Sequence, residues 1–594
     1  MESFDSSMHD LLYMKGYLFE IPNYQRSYVW EKDEITAFLK DITYCYEQNS
    51  AGQAYDHFFG QMVFREVTKD RADRTILEVV DGQQRLTTIT LIVAAIYRLI
   101  LIKEPIVNDK VLEQLRLIKK QYLISTPDRG SPHRVLTLSP RDNPILIAIA
   151  TVKEEKIDKE FCFDCIYESH TRIFNAYTQI FKYLEKYFAE TDESSFSKTL
   201  SAFIETILRN FSVVLIKPKS IGYSYALYQV VNDRGVLLTS AELLKARTME
   251  LLSNNEGLFV ECETVWNDIL NDPGKETTKY LLWHYSSKMH QSATKSKLHE
   301  AYEKKIFDCY GKHSLNASDQ AKLAVEIRSL HRSVKLCRKL SVGELPMERL
   351  HPQIQDMYKA LVCGLNNEIA IPVYINMLNL ADEKLQLKIV PFVTVLLSRF
   401  FFASRTIANI HNNSISKAYN AISESICTNA KDFNKLADCC KDVQNSKGVD
   451  NTFSAKMDDS IYSRTSTAVS KYLLYMLELF EGSTAISEKA ILSRDASMFV
   501  CFEKITTEHI AARSGADGNI FTENERDCLG NLTLLGGNKN NDLDDQPFSI
   551  KRDVYLKSPY ALTRTVGANL KWERDEYNSW QKHQKDNAIK IFIL

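Results

Sequence analysis

The stretch Glu78-Val79-Val80-Asp81-Gly82-Gln83-Gln84-Arg85-Leu86-Thr87-Thr88 decides the fold of the N-terminal part of the chain. The segment 74–80, which leads into it, is short and apolar and predicts a buried strand. From Leu86 to Leu101, apolar residues recur at helical spacing. Asp81-Gly82 is a turn pair between these two segments. The sequence therefore predicts a strand, a tight turn and a helix.

Three polar residues, Gln83, Gln84 and Arg85, fall on the opening turn of this helix. Free backbone N–H groups at a helix start favour an anion. Arginine adds a bidentate fork suited to phosphate, and the glutamines add neutral donors. A polar helix start capped by Asp81 fits the same residues, so both interpretations stay open at this point.

Two further segments carry residues suited to a ligand. The segment 21–30 mixes aromatic residues with Gln25 and Arg26, which fits either loop packing or a ligand contact. The run Asn232-Asp233-Arg234-Gly235 precedes Thr239-x-x-Glu242, a capping box that predicts a helix through Leu252. The run reads as a surface turn, yet its arginine just before a helix repeats the pattern of Gln84-Arg85.

The composition is that of an ordinary globular protein, with 44% hydrophobic and 25% charged residues among 594 and a formal charge of -2. A nucleic-acid surface must therefore be a local patch. The twelve cysteines are scattered, and we expect reduced thiols. The N-terminus does not resemble a signal peptide, and the apolar stretch 91–102 carries Arg98 and is too short to span a bilayer. We expect a cytoplasmic protein with no membrane partner.

The remaining chain is predominantly helical before a second informative region. Helical patterns follow one another from about 255 to 440, and the polar stretch 442–459 predicts a linker. Strands are predicted over 502–507 and 529–535, and a helix over 547–555. Together with Glu508, His509, Asn531 and Asn540, this order of strand, strand and helix is the layout of an HNH nuclease.

The chemistry of a nuclease explains these residue types. His509 can accept a proton from water that attacks a phosphodiester. Glu508 and Asn540 offer oxygen ligands to Mg²⁺ or Mn²⁺, and Asn531 can pin the loop that orients His509. A single histidine beside an acid at a strand end is more often a polar rim residue, so the prediction depends on the ordered set. The basic segment 551–574 suits a DNA backbone, although a solvated helix face would look similar.

At these residues the chain resembles the GmrSD-type modification-dependent (type IV) restriction endonucleases and related phage-defence proteins. The GmrS-like motifs are Ile21-Pro22-x-Tyr24-Gln25-Arg26-x-Tyr28-x-Trp30, Asp81-Gly82-Gln83-Gln84-Arg85-Leu86-Thr87, and Asn232-Asp233-Arg234-Gly235 with Leu238-Thr239. The GmrD-like motifs are Glu508-His509-Ile510, Gly530-Asn531-Leu532-Thr533-Leu534-Leu535, Asn540, and Phe548-x-x-Lys551. Ala512 stands where the family often has proline, and Asp545 where a further asparagine is usual. Both departures lie near the expected metal site, where they bear on the rate and the metal preference rather than on the reaction type.

The resemblance implies an α+β multidomain protein in three parts. These are a ParB/sulfiredoxin-like domain over 1–254 that binds and hydrolyses a nucleoside triphosphate and senses DNA modification, a helical connector over 255–450, and a ββα-metal HNH domain over 451–594. The nucleotide-binding residues would be Gln25, Arg26, Asp81, Gly82, Gln83, Gln84, Arg85, Asn232 and Arg234. The DNA contacts would be Tyr24, Lys551 and Arg552.

The sequence thus favours a phage-defence endonuclease that is regulated by nucleotide and acts on modified phage DNA. A homo-oligomer is compatible with this interpretation. A protein of a different class remains open: a nucleotide-dependent DNA-binding regulator whose HNH domain is inactive or structural. The presence of both His509 and Asn540 favours the enzyme. No Walker A or G-x-G-x-x-G motif occurs, which argues against a P-loop motor or a Rossmann enzyme.

Overall fold

The chain folds into two compact units in the computed structural model. The structure describes residues 2–14, 17–21, 25, 27–69, 75–102, 113, 123–125, 133–150, 163–217, 239–270, 276–312, 314–464, 467–512, 520–537, 543 and 545–594. Unit 1 comprises Met1–Thr278 and His299–His331, and unit 2 comprises Lys279–Leu298 and Arg332–Leu594.

Unit 1 is built on a six-stranded mixed sheet. Its strands are β1 (Glu2–Ser7), β2 (Leu18–Glu20), β3 (His57–Lys69), β4 (Thr75–Asp81), β7 (Leu136–Thr137) and β8 (Phe211–Lys217), in the spatial order β1-β8-β3-β4-β2-β7. A separate hairpin pairs β5 (Ile124–Ser125) with β6 (His133–Arg134). β4 lies antiparallel to β3 and parallel to β2, so the predicted strand is inside the sheet. The mixed sheet with surrounding helices agrees with the expected α+β class.

The helix that follows β4, Gln83–Ile102, is the central helix of unit 1. It is buried at every position except Arg85 and Ile102, because apolar residues cover all of its faces. Its one interior cation, Arg98, lies over the ring of Phe181 at 5.9 Å. The strand, turn and helix predicted from the sequence are confirmed, with the helix starting three residues earlier than its apolar pattern.

The other helices of the described chain follow one another in both units. Those that begin before residue 320 are Lys32–Ser50, Asn143–Ala150, Glu168–Tyr187, Glu193–Arg209, Ser240–Leu252, Glu256–Leu270, Thr277–Met289, Leu298–Lys305 and Ala317–Ser341. Those that begin later are Pro352–Lys359, Ile371–Leu378, Glu383–Phe401, Asn412–Asn429, Phe433–Ser446, Val449–Lys456, Ile461–Arg464, Thr467–Phe480, Glu488–Leu492, Glu523–Arg526, Phe548–Leu556, Ala561–Gly567 and Arg574–Phe592. The capping box predicted at Thr239 and Glu242 is present.

Two helices among the described residues are long and apolar enough to cross a membrane by composition alone, 83–102 and 383–407. The central helix is thus longer than the apolar stretch that the sequence suggested. The most apolar windows of the two helices are 89% and 78% buried inside the protein. Core helices of a soluble protein pass the same test, so this composition is weak support for a membrane span.

Unit 2 is organised around one hydrophobic core that joins its helices to a small two-stranded sheet. This core runs from Ile354 on the helix Pro352–Lys359 to Phe592 near the C-terminus. It includes Val449 and Phe453, which are fully buried on the helix Val449–Lys456. The polar stretch 442–459 was expected to be a linker, and this is wrong because two apolar residues four apart anchor it as a helix. The helical middle of the chain is divided between the two units.

Gly82 at the start of the central helix offers a direct test of this fold. Its φ is +97°, and an added Cβ would lie 2.7 Å from Met62 Cγ. We expect Gly82→Ala to destabilise unit 1 by more than the roughly 1–2 kcal/mol that a left-handed conformation costs an L-residue. Gly52→Ala is the matched control, because its φ is +79° and nothing lies within 4 Å of the added carbon.

The comparison uses urea denaturation of the full-length variants, followed by circular dichroism. Equal losses of stability for the two variants would show that the close approach of Met62 to Gly82 does not contribute.

Candidate functional site

The histidine predicted to be catalytic lies at the end of a short antiparallel strand pair in unit 2. β9 (Ile505–His509) pairs with β10 (Leu532–Gly536), and His509 lies opposite Leu532. Both strands are shorter than predicted, because Phe502–Lys504 and Leu529–Asn531 form 3₁₀ turns. The backbone N–H of Phe502 donates to Asp356 Oδ2 at 3.0 Å, which diverts it from a strand ladder. The helix Phe548–Leu556 follows, so the order of strand, strand and helix is present.

The imidazole of His509 is held by an acidic residue that the sequence did not single out. His509 Nε2 lies 3.1 Å from Asp527 Oδ1, and the two side chains are 13% and 4% exposed. The ring of Tyr462 meets the imidazole edge-on, with ring centroids 4.6 Å apart. Asp527 is 18 residues from His509 in the sequence, and no spacing rule marks it. A His–carboxylate pair of this kind orients a general base.

Asn531 is fully buried and clamps the chain that leaves His509. Its Oδ1 accepts the backbone N–H of Ala511 at 2.7 Å, and its Nδ2 donates to the carbonyls of Ala511 at 2.9 Å and Arg526 at 3.0 Å. The amide therefore uses both ends of its side chain, and it joins the segment after His509 to the segment that carries Asp527.

Glu508 takes part in a buried network rather than facing solvent. Its Oε1 accepts from Lys551 Nζ at 2.8 Å and from Tyr555 Oη at 2.7 Å. Lys551 Nζ also donates to the carbonyl of His509 at 2.8 Å. Burial and the Glu508 carboxylate raise the pKa of Tyr555 well above its ordinary value, so its hydroxyl stays protonated and donates. Lys551 was expected to contact DNA; its side chain is 1% exposed and paired, which corrects that expectation.

Most of the predicted basic patch is also engaged within the protein. Arg552 Nε donates to the carbonyl of Asn569 at 2.8 Å, and Arg564 donates to the carbonyl of Ser558 at 2.8 Å. Ion pairs hold Lys571 to Glu573 and Arg574 to Glu525. The side chain of Lys557 is exposed. Asn540, the second predicted metal ligand, lies outside the described residues.

In unit 1 the predicted nucleotide residues shape the start of the central helix. Gln25 Nε2 donates to the carbonyl of Val80 at 2.7 Å. Gln84 Oε1 accepts the N–H of Val29 at 2.9 Å, and its Nε2 donates to the carbonyl of Ser27 at 3.3 Å. The two glutamines thus tie the segment 25–29 to the strand end and the helix start. Tyr24, Arg26, Asn232 and Arg234 lie outside the described residues.

Arg85 binds β3 at a bulge, where the register of β3 with β8 shifts between Phe58 and Gln61. Its guanidinium donates to the carbonyls of Phe59 at 3.0 Å and Gln61 at 2.8 Å, and it pairs with Asp81 Oδ2 at 3.1 Å. Gly60 lies between the two carbonyls with a φ of +95°, and a Cβ there would collide with the guanidinium. Arg85 and Asp81 therefore hold the turn and the bulge together, which sequence reasoning did not foresee.

Gln83 lines a small pocket beside this helix start, and the other lining residues are Ile21, Tyr28, Thr87, Leu138, Ser139 and Asp142. Asp142 is 3% exposed and accepts from Ser169 Oγ at 2.6 Å. A carboxylate in the pocket disfavours phosphate there. The pocket beside the helix start is therefore not a phosphate site.

Two family models match the chain. Residues 8–249 match the N-terminal domain of the GmrSD restriction endonuclease, and residues 447–585 match the C-terminal domain of GmrSD restriction endonucleases. Together the matches cover more than half of the chain. No curated protein matches it. The first match contains the central helix and its opening turn, and the second contains His509, Asp527, Asn531 and Lys551. The chain therefore belongs to the GmrSD restriction endonuclease family, whose members act on DNA in defence against phages.

Proposed function

We propose that this restriction endonuclease cuts DNA through an HNH-type site at His509 and that a nucleoside triphosphate bound in unit 1 regulates the cut. The observation that carries the proposal is the arrangement at the end of β9. There an imidazole is paired with a buried carboxylate, Asp527, and Asn531 clamps the loop that follows. This is the local order that a general base needs, because its orientation is set before substrate arrives.

The chemical step follows from this geometry. His509 accepts a proton from a water molecule as the water oxygen attacks phosphorus. The bond from phosphorus to the leaving sugar oxygen breaks, and that oxygen takes a proton from solvent. Lys551 and Tyr555 hold Glu508, and Lys551 also binds the His509 carbonyl, so the strand that carries the base is fixed.

We propose magnesium or manganese as the cofactor, with Glu508 and Asn540 as ligands. When bound, such an ion would stabilise the charge that develops on the phosphate. Glu508 Oε1 is engaged by Lys551 and Tyr555. Among the described residues no group of three His, Cys, Asp or Glu side chains could hold a metal ion. The described donors alone do not complete a metal site.

For unit 1 we propose a ParB/sulfiredoxin-like domain that binds and hydrolyses a nucleoside triphosphate and senses modified phage DNA. The match of residues 8–249 to the N-terminal domain of the family supports this. Gln25, Gln84, Asp81 and Arg85 act in this proposal by holding the loops around the phosphates, because their described contacts are to protein. A nuclease on the same chain suggests that the nucleotide shifts the population of active enzyme.

His509→Ala tests the nuclease site. Removal of a positioned general base should lower the rate of DNA cleavage by about a hundredfold or more, while nucleotide hydrolysis persists. His583→Ala is the control, because His583 is an exposed histidine of the same unit. Plasmid nicking and nucleotide hydrolysis are measured in parallel on both variants. Cleavage by His509→Ala at the wild-type rate would contradict the nuclease assignment. It would favour the alternative, a DNA-binding regulator whose HNH domain is structural.

Metal dependence is tested with the same plasmid assay. We expect EDTA to stop cleavage and Mg²⁺ or Mn²⁺ to restore it, because carboxylate and amide oxygens prefer hard cations. Metal analysis of the purified protein provides the counter-test: stoichiometric, tightly held zinc would contradict an oxygen-ligand site.

Arg85→Ala tests regulation by nucleotide. We expect about a ten- to hundredfold loss of nucleotide affinity, because the variant loses the charge-assisted hydrogen bonds by which Arg85 holds the chain at Phe59 and Gln61 in place. That loss corresponds to roughly 1.5–3 kcal/mol. The nucleotide response of cleavage should be lost as well. Arg172→Ala is the control, since it also removes an ion-paired arginine from unit 1. Nicking is measured against nucleotide concentration, and thermal unfolding checks that the variants are folded. If the wild type and Arg85→Ala gave superimposable nicking curves, both with a clear nucleotide response, the stretch 81–85 would serve only to start the helix.

A further inference from the structure

We propose that Asp527 is the positioning residue of the nuclease, which rests on the proposed role of His509 as general base. Asp527 would hold the imidazole in the single tautomer that has its proton on Nε2 and its lone pair on Nδ1. The atom that takes the proton from the attacking water is then Nδ1 of His509.

The assignment follows from the chemistry of the contact. An ionised carboxylate only accepts hydrogen bonds. Asp527 Oδ1 lies 3.1 Å from Nε2, so Nε2 must donate and must carry the proton. A neutral imidazole has one N–H, which leaves the lone pair on Nδ1. Asp527 therefore favours the tautomer that has its proton on Nε2.

The site holds Asp527 through its backbone as well as its side chain. The N–H of Tyr462 donates to the carbonyl of Asp527 at 3.0 Å, and the N–H of Asp527 donates to the carbonyl of Asn524 at 3.3 Å. Asn531 binds the preceding carbonyl, that of Arg526, at 3.0 Å. A change confined to the side chain of Asp527 leaves these bonds in place, so its effect on the imidazole can be separated from unfolding.

Tyr462 sets the plane of the ring that Asp527 orients. It meets the imidazole edge-on at an interplanar angle of 77°, and its backbone is bonded to Asp527. Edge-to-face contacts restrict rotation of a ring, so Tyr462 supports the orientation that Asp527 sets.

Asp527→Asn is the main test. The amide keeps the shape of the side chain but can turn its N–H₂ toward Nε2, which favours the opposite tautomer. We expect kcat for DNA cleavage to fall about a hundredfold or more while KM changes less than about threefold, as for an orienting carboxylate in other His-based sites. Asp553→Asn is the matched control, because it removes an equal charge from an exposed position of the helix Phe548–Leu556.

The second measurement uses the wild-type protein and does not depend on the folding of a variant. The ¹⁵N chemical shifts of selectively labelled histidine, with His509 assigned by its loss in His509→Ala, report which nitrogen is protonated. We expect Nε2–H in the wild type. A proton on Nδ1 of His509 in the wild type would overturn the proposal even if Asp527→Asn failed to fold.

The remaining outcomes separate this proposal from the one it rests on. If His509→Ala abolishes cleavage and a folded Asp527→Asn keeps the wild-type kcat, the positioning role is wrong and the nuclease assignment stands. If His509→Ala cleaves normally, the nuclease assignment fails first. A rise in KM with unchanged kcat in Asp527→Asn would mean that Asp527 serves substrate binding, and it would overturn the positioning role.

Discussion

Burial on every side of the central helix is the constraint on which unit 1 depends. A helix with no solvent-exposed face is enclosed by protein along its length, so only its ends can contact solvent or a ligand. At its start, polar side chains are engaged with the surrounding protein: Gln84 holds the segment 27–29, and Arg85 holds the bulge around Gly60. The same residues that make the helix start polar therefore also tie it to the neighbouring segments.

In unit 2, buried polar contacts hold the segments around His509 in place. Glu508, Lys551 and Asn531 are each nearly or fully buried, and each makes at least two hydrogen bonds in the described structure. A buried polar group is costly when its partner is missing and specific when it is satisfied. His509 is thus held by a framework that has few alternative arrangements.

The sequence predicted well what local pattern controls. The strand and central helix around Asp81, the capping box at Thr239 and the end of β9 at His509 all follow from periodicity, turn chemistry and capping. It could not predict contacts between distant segments. Asp527 reaches His509, and Lys551 reaches Glu508 across 43 residues, through packing that no local pattern encodes. The prediction of a linker over 442–459 was wrong because it relied on composition. Most residues there are polar, but Val449 and Phe453 are buried and anchor a helix.

The core of unit 2 has a consequence for how such nucleases can diversify. The C-terminal family match begins at residue 447, yet its hydrophobic core extends back to Ile354. Gln353 binds Val500 through both ends of its amide, and Asp356 binds the N–H of Phe502 just before β9. An exchange of domains between relatives at residue 447 would separate Gln353 and Asp356 from the backbone groups that they bind. The part of the chain that packs as one core is therefore larger than the matched domain, and a breakpoint that preserves these contacts lies before Gln353.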